Sequence, residues 1–185
     1  LDVRMVVEPA QELENDGCYS HTLDLKPEDL PVLFLPGLRF MTKQTRIALE
    51  NYVRNGGVIY FSFANDSWVT DWDKLAGVVT DCKFGVPDFR VKTDLTIKVE
   101  DEWGKFAQNE IFTIPLLNNQ PALSYCPIIS TTARVIMTDE YGMPFLLENA
   151  IGKGKVYFTS YPLEVLALVI NDDHLRAILC RIYKS

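Results

Sequence analysis

The chain has 185 residues, of which 48% are hydrophobic and 23% charged, and its net charge is −7. That length suits one domain whose core buries roughly 70% of the unfolded surface without covalent staples. The acidic balance, with no block of Lys or Arg, argues against nucleic acid or an anionic membrane as partner, and no run of about 18 apolar residues offers a membrane span.

The sequence starts at Leu1 almost directly in a strand-like run, without a signal-peptide pattern, so it reads as a piece of a longer protein. Cys18, Cys82, Cys126 and Cys180 are far apart in sequence and form no C-x-x-C signature. Their even number permits two disulfides. The expectation is four thiols in a core or a reducing compartment, the cytoplasm.

"LDVRMVVEP" (1–9) has the pattern of a buried strand, and residues 10–31 that of a polar connection with a short helix at 10–14. "VLFLPG" (32–37) is continuously apolar, which suits a parallel strand covered on both faces. "TKQTRIALENYVRNGG" (42–57) is the clearest helix. Thr42 can cap it, Ile47, Leu49, Tyr52 and Val53 recur around one face, and Gly56-Gly57 ends it. "VIYFSF" (58–63) follows as a second buried strand, completing a βαβ unit.

The loop "ANDSWVTD" (64–71) leaves the C-terminal end of that strand, and "WDKLAGVV" (72–79) reads as a short helix. From about 84 to 136 the pattern turns to irregular antiparallel strands, a β-rich insertion and an excursion from the sheet. Residues 133–160 form a three-stranded meander with turns at "DEYG" and "GKG". Residues 163–185 supply one or two helical segments, the last capped by Asp172 or Asp173.

"LFLPGLRFMTKQTRIALENYVRNGGVIYFSF" resembles the strand–Pro–helix–AYVxxGG–strand stretch of class I glutamine amidotransferase-like domains. The variant it most resembles is the trimerisation domain of bacterial β-galactosidases of glycoside hydrolase family 42. "WDKLAGVVTD" and "STTARVIMTDEYGMPFLLENAIGKGKVYFTSYP" resemble, in order, the short helix and the hairpin of that domain. The resemblance implies one α/β domain over 1–185, flavodoxin-like, with a parallel sheet flanked by helices.

The same resemblance points to an inactive domain. A class I glutaminase sets a Cys on a Gly-flanked elbow, a His beside it and an acid behind the His. The elbow here falls within Ser62 to Asn65, with neither Cys nor Gly. Tyr161 of "VYFTSYPLE" stands at the His position, and Glu164 has no His to orient. No catalytic residue is therefore assigned. His21 and His174 have no metal-ligand spacing, and Gly152 to Lys155 is a hairpin turn, not a phosphate loop, so no metal or cofactor is expected.

Loops beyond the C-terminal ends of parallel strands line ligand crevices in open α/β sheets. That places Asn65, Asp66, Trp68 and Tyr161 as a candidate carbohydrate-binding crevice, against packing of Trp68 and Trp72 on the sheet or on a neighbouring domain. The function implied by resemblance is a non-catalytic domain of a glycoside hydrolase, making contacts to other domains or subunits. The alternatives are a stand-alone sugar-binding protein of trehalose-utilisation type and a hydrolase using Ser62 or Cys126.

Overall fold

A computed structural model describes residues 25–36, 43–62, 72–80, 86–87, 94–116 and 124–185. The expected first strand (1–9), the Thr42 cap and the loop at 64–71 lie outside them. The remaining elements follow in order: β1 (Val32–Leu35), α1 (Lys43–Arg54), β2 (Val58–Ser62), α2 (Trp72–Ala76), β3 (Val78–Thr80) and β4 (Val86–Pro87). β5 (Asp94–Val99), β6 (Ile111–Pro115), β7 (Ser124–Tyr125), β8 (Ile128–Thr131) and β9 (Arg134–Asp139) come next. The chain closes with β10 (Pro144–Ile151), β11 (Gly154–Thr159), α3 (Leu163–Val169) and α4 (Asp173–Tyr183).

Seven of these strands form one mixed sheet, in the order β1-β2-β11-β10-β9-β5-β6. β1 pairs parallel to β2 and β2 parallel to β11, while every further pairing is antiparallel. The βαβ unit read from the sequence is present as β1–α1–β2. The antiparallel stretch at 84–136 departs from expectation, because it is only partly an excursion. β5 and β6 extend the main sheet, where their alternating apolar residues Leu95, Ile97, Val99, Phe112 and Ile114 continue the core. β3–β8 and β4–β7 form two separate ladders.

Two apolar clusters lie on the two sides of the sheet. Strand alternation decides which residue joins which. Val58 and Tyr60 of β2 and Tyr157 of β11 join Leu163, Leu166, Leu175, Ile178 and Ile182 of α3 and α4. Ile59 and Phe61 of β2 and Val156 and Phe158 of β11 join Leu49, Tyr52 and Val53 of α1 and Leu75 of α2. Ile47 is not part of the α1 stripe, being 43% exposed. It leads that stripe by two residues, which on a helix turns it away from the sheet.

The join between α1 and β2 is tight. Gly56 has φ +114, which stops the helix in a conformation that side chains resist. The Tyr52 hydroxyl donates to the Leu30 carbonyl at 2.6 Å, tying the segment before β1 to the helix. Burial pushes that hydroxyl up to about 12. At the other end, α3 and α4 are separate helices, broken at extended Ile170. Of the two candidate caps it is Asp172 that serves, accepting from the amides of His174 and Leu175 at 2.8 and 2.9 Å.

Candidate functional site

β2 and β11 run parallel in a register that pairs Ser62 with Thr159, so both strands end at the same level. Beyond Thr159 the chain turns through Ser160, Tyr161 and Pro162 into α3, whose second residue is Glu164. This connection returns the Glu164 carboxylate over the end of β2. Tyr60 and Ser62 are two apart on that strand, hence on one face, and both reach it. The Tyr60 hydroxyl donates to Glu164 Oε2 at 2.8 Å, and Ser62 Oγ donates to Glu164 Oε1. Thr159 Oγ1 lies 3.0 Å from the Tyr60 hydroxyl. Since the single Tyr60 proton goes to Glu164, Thr159 supplies the proton of that second bond.

The hydroxyl members of the cluster are buried, and Glu164 is partly so. Tyr60 and Thr159 are fully buried and Ser62 is 4% exposed. Burial, and after it the negative charge of Glu164, push the Tyr60 hydroxyl well above its ordinary 10. Tyr60 therefore remains a proton donor at neutral pH and cannot act as a base. What results is a carboxylate satisfied by two hydroxyls. A serine–histidine–acid relay moves the serine proton through an imidazole that the acid orients. Here the acid meets the serine directly.

Histidine does not enter this cluster among the described residues. His174 stacks on Phe112 of β6, with ring centroids 4.4 Å apart. β6 is five strand positions from β2 in the sheet, roughly 24 Å at the usual strand spacing. His21 lies outside the described residues. Cys126 is buried, with its amide donating to the Ser160 carbonyl at 2.8 Å, and Cys180 is exposed on α4.

Of the four crevice residues expected from the sequence, Asn65, Asp66 and Trp68 lie outside the described residues. Tyr161 is 1% exposed, its ring set against Tyr125 and Phe145 at centroid distances of 5.8 and 5.9 Å. Its hydroxyl donates to Asp139 Oδ2 at 3.3 Å. Asp139 is itself buried, and its Oδ1 accepts from the amides of Tyr141 and Met143, both at 2.9 Å. A second buried polar group thus lies at the end of β9, which points the same way as β11 because both are antiparallel to β10. Tyr60, Thr159 and Asp139 were not singled out from the sequence. The available signal was the two-residue spacing of Tyr60 and Ser62, which gains meaning only once β2 is set beside β11.

No protein-family model matches the chain, and no curated protein sequence does. Solved structures do. A β-galactosidase from Bacillus circulans sp. alkalophilus matches with a TM-score of 0.63 and 15% identity, over 87% of this chain and 23% of that one. A cytoplasmic protein from Salmonella typhimurium LT2 matches at 0.58 and 14% identity, over 85% of this chain and 73% of that one. An exo-β-1,4-mannosidase from Opitutaceae bacterium strain TAV5 matches at 0.53 and 18% identity, over 78% and 23%. The chain spans about a quarter of the length of the two glycoside hydrolases. At these identities the likeness carries the fold alone: the chain has the α/β fold of a region found within β-galactosidase and mannosidase chains.

Proposed function

We propose that this chain is a non-catalytic, amidotransferase-like domain of a larger glycoside hydrolase, of the trimerisation type and flavodoxin-like in architecture. Its role is contact between domains or subunits. Glycoside cleavage by a pair of carboxylates would belong to a separate barrel domain of the parent enzyme. The observation that supports this reading best is the cluster at the ends of β2 and β11. Where the amidotransferase pattern needs Cys, His and acid, Glu164 is occupied by Ser62 and Tyr60, and Tyr161 is turned into the core.

Light scattering of the 185-residue chain is expected to give a self-associated species, and assays with glutamine, aryl esters and aryl galactosides no turnover. Turnover that disappears in Ser62→Ala would overturn the reading in favour of a serine hydrolase. A second reading, a stand-alone sugar-binding protein, is favoured by the Salmonella match, since there the fold makes up most of the chain. Saturable heat on titrating the chain with galactose or trehalose, together with a strictly monomeric mass, would favour that second reading.

A further inference from the structure

The parallel strands begin at the end of the sheet opposite the Ser62–Glu164 cluster, and there a groove of about 470 Å³ opens between α1, α2 and the last residues of β10. Arg46, Glu50 and Arg54 of α1 line it, with Lys74 of α2 facing them and Asn149 beneath. The three α1 residues are spaced four apart and so share one side of the helix. Glu50 accepts from Arg46 Nη1 at 3.3 Å and from Arg54 Nε and Nη2 at 3.1 and 2.7 Å. One carboxylate thus serves two guanidiniums, leaving donors in excess, and Arg46 Nε is buried without a hydrogen-bond partner. Asn149 donates its amide to the Leu75 carbonyl at 2.7 Å, which fixes the floor of the groove against α2. Among the described residues that line the groove, three are cationic and one is acidic, in a chain of net charge −7.

We propose that this groove is a binding site for a small molecule carrying an oxyanion, a phosphate in free or esterified form. Planar guanidinium forks match the oxygens of such a group with charge-assisted hydrogen bonds. The volume falls in the range of small-molecule sites, and walls of two helices over a strand end suit a compact ligand better than an extended acidic segment. The site is independent of the contact role proposed above.

The test is titration of the whole chain with inorganic phosphate and with a hexose phosphate, followed by amide NMR shifts at low ionic strength. Saturable shifts at α1, α2 and residues 149–152 are expected. Arg54→Gln should weaken binding by about tenfold, and Glu50→Gln should strengthen it. Lys184→Gln makes the same charge change at the C-terminus of α4, on the other side of the sheet, and should leave binding unchanged. If Arg54→Gln does not fold, Lys74→Gln tests the same groove from its other wall. Tighter binding of the hexose phosphate identifies an ester as the ligand, and equal binding identifies the free anion. Three results would overturn the site: no saturable shift, equal weakening in Lys184→Gln, or an oligoglutamate peptide that binds there more tightly than either phosphate.

Discussion

β2 and β6 sit in one sheet and are built differently. Every residue of β2 is buried, whereas in β6 only Phe112 and Ile114 are, with exposed residues between them. β2 is sandwiched between α1 and α2 on one side and α3 and α4 on the other, while β6 contributes to the α4 side alone. Parallel strands need crossover connections, and crossovers bring helices to both faces; hairpins bring none. The difference also places the chemistry. A strand closed on both faces meets solvent only at its ends, so polar groups in the parallel half gather where β2 and β11 stop. In the antiparallel half they spread over the open face, as where Glu100 accepts from Lys98 and from Thr138.

The largest effects expected from this contrast are in the core. Phe158 of β11 is fully buried among side chains of the α1 cluster, and Phe158→Ala should cost about 3–5 kcal/mol. Phe112, 6% exposed on the edge strand, has neighbours freer to settle into the space, so Phe112→Ala should cost at least about 1 kcal/mol less. Urea denaturation of both variants measures the difference. Equal or reversed costs would break the distinction between a doubly covered and a singly covered half.

A smaller effect separates two turns. A Cβ on Gly154, at the start of β11, would stand 2.2 Å from the Gly57 carbonyl oxygen and 2.3 Å from that of Val53. These are backbone atoms fixed by α1 and β2, and Gly154→Ala should cost about 1–3 kcal/mol or more by forcing them apart. Gly142, in the β9–β10 turn, has φ +76 but nothing within 4 Å of an added Cβ. Gly142→Ala should cost only the backbone preference, about 1 kcal/mol. Thermal melts of the two variants rank the turns, and a larger loss for Gly142→Ala would mean that the parallel junction yields more easily than its packing implies.

The same contrast explains what the sequence shows of the fold and the site. α1, the Gly56-Gly57 stop, β2 and the β9–β10–β11 meander are local: periodicity, a cap or a turn residue announces each. The place of β5 and β6 is not local. Their alternation declares strands with one buried face, but nothing in it says that β5 pairs with β9 and not with a separate sheet. The site fails to show for a related reason. Glu164 is 102 residues from Ser62, and their bond exists because β11 lies in register beside β2. Read along the chain, Glu164 is an acid whose histidine is missing. Set in the sheet, it is an acid with two hydroxyl donors.

The broadest test, and in its acid limb the smallest effect, is pH, because the two halves keep different titratable groups. Tyr60 and Tyr157 are raised above 10 by burial first, Tyr60 further by Glu164, and burial lifts Tyr52 to about 12. A hydroxyl whose folded value is raised holds its proton more tightly in the folded state. Its contribution is complete below the ordinary 10 and is lost as pH climbs through the folded value. In the antiparallel half, Lys98 holds Glu100 below its ordinary 4.5, and Arg134 holds Asp101 below 3.8. These carboxylates stabilise above their ordinary values and lose that contribution as pH falls through the folded ones. Both pairs are substantially exposed, so solvent screens them and the acid loss should be slight. Stability followed by urea titration is therefore expected to fall gently in acid and steeply in alkali, with tyrosinate absorbance appearing together with unfolding. Arg134→Gln should flatten the acid limb and leave the alkaline one untouched, and Tyr60→Phe should do the reverse. A variant that moves both limbs would show the two halves to be one electrostatic unit, joined through β11, where Tyr157 donates to Glu148 at 2.7 Å and Glu148 in turn accepts from Arg134 at 3.5 Å.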